Sequence, residues 1–257
     1  MSKPTVSELI DAVEDVLSST LELARGIDPE LASTPTGCPG WTVQDQLAHM
    51  VGLEQVLGGA PEPDIELPAM DHVVENFDKY MERHVHIRRP LPFVAVVDEL
   101  AGMIPHRIGG LRSLVADSDG DPIVDGPLGE RPLSKALPIR IFDLWAHEQD
   151  LRRAVGMSPR IEGPAAALAM SQALLGWSRG LPATVKGIDT DLRVELTGPE
   201  PSSTTIKLGS GGPETVLEGD LGQLTKLFCG RGEPDTSLFT GDASVVAAIA
   251  PALGMTP

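Results

Sequence analysis

Apolar residues in the first part of the chain recur at three- and four-residue steps, the period of a helix with one buried face. Between Val6 and Leu23 they fall at Leu9, Ile10, Val13, Val16, Leu17 and Leu21. An amphipathic helix is expected there, opened by Thr5 or Ser7 and ended at Gly26. Thr34-Pro-Thr-Gly-Cys-Pro-Gly40 is a turn-rich connector. A second helix is expected after Thr42, because Thr42 and Asp45 form a capping-box-like start. Trp41, just ahead of the cap, is placed to staple the incoming chain onto that helix. Gly58 to Pro68 reads as a loop. Helical periodicity resumes from Met70 to Arg88 and again from Phe93 to Leu114, where Pro105 is expected to kink or break the helix at Ile104. Asp117 to Pro132 is polar and turn-rich. Ser134 is expected to cap a helix that runs to about Ala154 and stops at Gly156.

After Pro159 the period changes. Pro164 to Gly180 is an Ala/Leu-rich helix containing Trp177, but from Leu192 onward the alternation is that of strands. Leu192–Thr197, Thr204–Leu208 and Glu214–Glu218 are separated by Gly/Pro turns and read as a β-meander. Gly219-Asp220 opens a helix that reaches Cys229-Gly230, Thr236–Phe239 reads as a short strand, and Gly241-Asp242 starts a last apolar helix. The chain therefore reads as α+β in two domains, a helical bundle over 1–156 and a small α+β domain over 157–257.

Composition narrows the function classes. The 257 residues carry a formal charge of −17, with no Lys/Arg cluster longer than a pair. A nucleic-acid partner would need a basic stripe and is set aside, as is an anionic membrane surface. No apolar run approaches the ~20 residues of a spanning helix, and the N-terminus lacks an apolar signal core. Cys38 and Cys229 lie far apart and give neither metal spacing nor a disulfide framework, which points to a cytoplasmic protein with reduced, packed thiols. A monomer or small homo-oligomer is expected. An anionic small substrate stays compatible, since a few arginines and a metal override the mean field locally.

Candidate chemistry concentrates in Arg140-Ile-Phe-Asp-Leu-Trp-Ala-His-Glu-Gln-Asp150. On a helix Asp143 and His147 stand one turn apart on one face. An acidic oxygen and an imidazole at that spacing can share a divalent metal, or they can simply form an intrahelical polar pair. His49 on the second helix is the best third ligand; the alternative is a core histidine with one satisfied nitrogen. Glu54, about 140° round the helix from His49, is a weaker candidate. His84 and His86 face different sides and read as a solvated helix end.

The two motif stretches together carry a resemblance. Cys38-Pro-Gly-Trp-Thr-Val-Gln-Asp-Gln-Leu-Ala-His-Met-Val-Gly52, followed about a hundred residues later by Arg140 to Gly156, resembles the mycothiol-dependent maleylpyruvate isomerase family. The later Gly219-Asp-Leu, Phe228-Cys-Gly-Arg231 and Thr240-Gly-Asp242 are similar to the same family's second domain. The resemblance implies a DinB-like, up-down, metal-binding helical bundle followed by a small, sterol-carrier-like α+β domain. It also implies zinc or a similar divalent ion on His49, Asp143 and His147, with aspartate at a place where the isomerase has glutamate. Arg231 matches a catalytic arginine of the family and would anchor a substrate carboxylate, with Arg140 a weaker candidate; a surface arginine paired to Glu233 or Asp235 is the alternative reading.

Mycothiol is the implied co-substrate and an electrophilic small molecule the implied partner. Addition of the thiolate to an alkene followed by elimination gives isomerisation; stopping after addition gives S-transfer. Two alternatives stay open. One is a metal-dependent hydrolase of a thiol or amide conjugate, with Glu148 or Asp150 as base, and the other is a non-catalytic binding protein on the same scaffold. Asp150 and Glu148 are also the expected outer partners of the histidines.

Overall fold

Thr5 opens the first helix, α1 (Val6–Gly26), through a reciprocal box. Its hydroxyl accepts from the Glu8 N–H at 3.2 Å while the Glu8 carboxylate accepts from the Thr5 N–H at 2.7 Å. The structure, a computed structural model, describes residues 3–199 and 201–255. Thr42 and Asp45 repeat the device at α2 (Val43–Leu57), with 3.0 Å from the Thr42 N–H to Asp45 and 3.3 Å in return. The next helix, α3 (Asn76–His86), starts later than the periodicity from Met70 predicts. It begins only where Asp78 can accept from the Glu75 N–H, at 2.8 Å.

The fourth helix, α4 (Phe93–Ala116), runs through Pro105 without the predicted break. Pro105 lies on the exposed face, where water can serve the carbonyl that loses its partner, and Ile104 and Ile108 keep their buried packing on the other side. A short antiparallel hairpin, β1 (Ile123–Val124) with β2 (Arg131–Pro132), interrupts the following loop. It leads into α5 (Leu133–Ala154), whose early Ser134 N–H is served by Asp121 Oδ1 at 3.0 Å. The predicted cap by the side chain of Ser134 is therefore replaced by a carboxylate from the loop. Gly156, with φ +71°, ends the helix as expected.

Helices α1, α4, α2 and α5 close a ring in which α1 and α2 each pack on both α4 and α5, and α3 lies on α2. Leu17, Leu47, Met50, Val96, Leu100, Ile141, Leu144 and Trp145 fill its centre at 0% exposure. Burial of each large apolar side chain is worth about 1.5–3 kcal/mol. The adjacency of α2 and α5 is what matters for chemistry. From Asp45 to Glu54 every residue of α2 is buried, so Asp45, Gln46, His49 and Glu54 must all find partners inside the protein.

The division between compact units falls after Ser158. The second unit starts with α6 (Pro164–Thr184), which seats Trp177 at 0% exposure with its indole N–H on the Leu253 carbonyl at 2.8 Å. Its sheet is mixed. Strands β3 (Asp191–Thr197) and β4 (Ser202–Lys207) form a hairpin, but β5 (Thr215–Asp220) pairs parallel to β3 on its other edge, and β6 (Phe239–Thr240) pairs antiparallel to β5. The predicted meander is corrected accordingly. Asp189, just before β3, accepts from the Ser210 and Gly211 N–H groups at 2.6 and 3.2 Å. The turn-rich segment is thereby bound to the start of β3 and carries the chain round it. Helix α7 (Leu221–Phe228) is capped by Asp220 and α8 (Ala243–Ile249) by Asp242. Thr236–Leu238 is a single 3₁₀ turn, and of the predicted strand only Phe239 enters the sheet, paired there together with Thr240. No described helix is long and apolar enough to cross a membrane.

Candidate metal centre

The seam between α2 and α5 brings together the residues that sequence spacing singles out. His49 Nε2 lies 3.3 Å from Asp143 Oδ2, and His147 Nε2 lies 3.5 Å from Asp143 Oδ1. The two imidazole centroids are 4.5 Å apart, and one donor atom from each of the three residues falls within 4.8 Å of the others. Two ligands held tetrahedrally at about 2.1 Å from an ion stand about 3.4 Å apart; the two His–Asp spacings match this, each to a different Asp143 oxygen, while the set with one atom per residue is looser. Two imidazoles and one carboxylate would leave coordination positions open, as in catalytic rather than structural sites.

The ionisation states suit that use. Burial, then the charge of His147, pushes the His49 imidazole down to about 4 against the opposing pull of Asp143. It is therefore neutral, the form in which an imidazole binds metal. Burial alone would raise the pKa of Asp143, but Arg140 and the two imidazoles outweigh it and hold the carboxyl well below its ordinary range. The site thus offers an ionised oxygen and a neutral nitrogen side by side.

His147 and Asp143 are held from behind, whereas His49 Nδ1 is buried with no hydrogen-bond partner among the described residues. Gln46 Oε1 pairs with His147 Nδ1; this places the proton on Nδ1 and leaves the Nε2 lone pair facing Asp143. The orientation of Gln46 is set in turn by its amide donating to Thr36 Oγ1 at 2.7 Å. Asp143 Oδ2 accepts from Arg140 Nη1 at 2.6 Å. Arg140 Nε donates to Glu54 at 2.9 Å, and the other Glu54 oxygen accepts from Arg107 Nε at 2.6 Å. The Trp41 ring covers both imidazoles, with centroids 5.0 Å from His49 and 5.7 Å from His147. Its indole N–H donates to the buried Glu82 at 2.9 Å, and Glu82 also pairs with Arg89 and His72. Gly40 makes this corner possible: its φ is +76°, and a Cβ there would stand 2.3 Å from the His72 ring.

Several expectations change. Glu54 is tied to two arginines and offers no free oxygen to the donor set. Arg140 spends its guanidinium on Glu54 and Asp143, which removes it as a substrate anchor. Glu148 accepts from Ser19 at 2.8 Å and from Arg152 at 2.9 Å, and Asp150 accepts from Arg153 at 2.6 Å. In place of these two carboxylates, Gln46 takes the role of outer partner to His147. His84, expected to be solvated, is 1% exposed. Cys38 and Cys229 are buried, as expected. Arg231 belongs to the second unit, where it is buried and its Nη1 donates to the Cys229 carbonyl at 2.9 Å.

Gln46, Trp41 and Arg107 are the site residues that sequence reasoning passes over. For Gln46 a signal exists, since it stands one turn before His49 on the same face of α2.

Fold and site together place the chain among helical-bundle proteins with a candidate divalent-metal centre between helices. The model of the mycothiol maleylpyruvate isomerase N-terminal domain family matches residues 13–152. That is more than half of the chain, and the chain belongs to this family. Among solved structures, the crystal structure of the mycothiol-dependent maleylpyruvate isomerase is similar with a TM-score of 0.65 and 18% identity, over 90% of this chain and 93% of that one. A histidine-to-alanine mutant of that enzyme matches over the same shares with a TM-score of 0.63. At such identity the likeness is one of fold. No curated protein sequence gives a significant match.

Proposed function

We propose that this protein is a mycothiol-dependent isomerase or S-transferase whose metal, zinc or a similar divalent ion, is held by His49, Asp143 and His147. The observation that carries the reading is the convergence of these three donors at 3.3 and 3.5 Å, with His49 neutral and Asp143 ionised. A bound divalent ion supplies a thiolate near neutral pH by lowering the pKa of a thiol. The chain's own residues do the rest. Gln46 holds His147 in one tautomer, and the Arg107–Glu54–Arg140 line keeps Asp143 ionised and aimed. Trp41 walls the imidazoles from one side.

Aspartate where the family resemblance leads one to expect glutamate shortens the reach from α5. Arg140, bound to the same carboxylate, sets where that shorter arm points. We assign Arg231 to anchoring a carboxylate of the electrophilic substrate, for which a guanidinium is the suited group. It sits between Gly230 and Gly232, whose φ values of +61° and +79° shape the turn. The reduced, buried cysteines support a cytoplasmic setting. The thiol reading is favoured over the hydrolase alternative because Glu148 and Asp150, the bases that alternative would use, are each engaged by an arginine.

The test is incubation of the purified chain with mycothiol and maleylpyruvate, with and without a chelator. Thiol-dependent conversion that stops with chelator and returns with zinc is the expected result. A zinc-replete protein that converts neither maleylpyruvate nor other electrophiles would instead make it a binding protein.

A further inference from the structure

His84 on α3 is buried to 1% exposure, yet among the described residues its Nε2 has no hydrogen-bond partner. A polar atom stranded at that depth costs stability and calls for an explanation. The chain also makes room for it. Gly52 lies on α2 one turn from His49, and a Cβ there would stand 2.6 Å from the His84 Cβ. Any other residue at 52 would push α3 away, and glycine inside a helix is itself unfavourable. On the far side Tyr80, one turn back along α3, meets the His84 ring edge-on at 5.2 Å and 80°. Through Gly52, His84 thus packs against the stretch of α2 that carries His49.

We propose that His84 is a ligand-binding residue of the same site, whose Nε2 hydrogen-bonds an uncharged polar group of the thiol co-substrate, a hydroxyl or an amide, with Tyr80 holding the ring in place. The assignment rests on the thiol reading above. The chemistry selects an uncharged group because burial pushes the His84 imidazole down to about 4. A neutral ring offers one donor or acceptor and no charge for a carboxylate.

The test is calorimetric titration of mycothiol into the zinc-loaded full chain, comparing wild type with His84→Phe and His84→Gln. The phenylalanine variant should keep its zinc stoichiometry and unfold at or above the wild-type midpoint, since a stranded polar atom is gone. Its mycothiol Kd should rise about fivefold to tenfold, the worth of one neutral hydrogen bond. The glutamine variant should recover part of that loss. A phenylalanine variant that binds mycothiol as tightly as wild type overturns the assignment alone. Loss of zinc together with mycothiol also overturns it, by making His84 a support of the metal centre. A zinc-loaded wild type that binds no mycothiol overturns both this assignment and the thiol reading. If the phenylalanine ring prevents folding, His84→Leu makes the same deletion with less volume and is judged by the same outcomes.

Discussion

Replacing Glu54 by glutamine removes one charge from the Arg107–Glu54–Arg140–Asp143 line while keeping its volume. The Glu54 side chain is 0% exposed and each flanking arginine 11%, so solvent screens the three charges little. Neutralising one partner of a buried ion pair costs about 3–5 kcal/mol, because the other charge stays buried and uncompensated. Arg140 keeps Asp143 at 2.6 Å, but Arg107 keeps only the Leu57 carbonyl, at 3.1 Å. In a domain of this size each kcal/mol moves the unfolding midpoint by about 2–4 °C, so the variant should melt about 6–20 °C below wild type.

The effect has a definite pH dependence. Burial alone would raise the Glu54 pKa, but Arg140 and Arg107 outweigh it and the folded-state value is depressed. A depressed carboxyl contributes stability that is fully present above its unfolded pKa, about 4.3, and is lost as pH falls through the folded value. The gap between wild type and variant should therefore be complete at pH 7 and shrink below about pH 4. Urea unfolding of the metal-free chains at neutral and acid pH measures both. A gap under about 1 kcal/mol at pH 7, or one that persists unchanged in acid, would refute the reasoning.

Gln46→Leu removes the acceptor that fixes the His147 tautomer and should weaken zinc binding about 10–100-fold; competition with a chromophoric chelator reads this, and unchanged affinity would assign the tautomer to another cause. Gly52→Ala should cost about 1–3 kcal/mol by overpacking against His84, despite the better helix propensity of alanine. A denaturation midpoint above wild type would show that α3 yields without cost. Trp41→Phe deletes the indole donor to Glu82 and should cost about 0.5–1.5 kcal/mol in the same assay, with Glu82 still served by Arg89 and His72.

What was legible in the sequence was what is written locally. The three- and four-residue period marks α1, the capping box at Thr42 and Asp45 marks the start of α2, and Asp143 and His147 share a face by helical spacing alone. Pairings across the chain leave no such trace. His147 and Gln46 are 101 residues apart, and Arg140 and Glu54 are 86 apart, so nothing in either neighbourhood names the other. The same holds for β5, whose alternation is that of any strand and carries no mark of its parallel partner β3. His84 misleads for a related reason: helix-end histidines are commonly solvated, and only the missing side chain at Gly52, thirty-odd positions earlier, admits this one to the interior. Pro105 shows the converse, a strong local signal overridden because the exposed face of α4 can spare one hydrogen bond.

The metal centre is the claim on which the rest depends, and equilibrium zinc binding tests it most directly. The purified wild-type chain, stripped and reloaded, should hold about one equivalent of zinc, and a His49→Ala/His147→Ala double variant should hold none while remaining folded. A wild type that takes up no divalent ion, or a double variant that binds as much as wild type, would contradict the account.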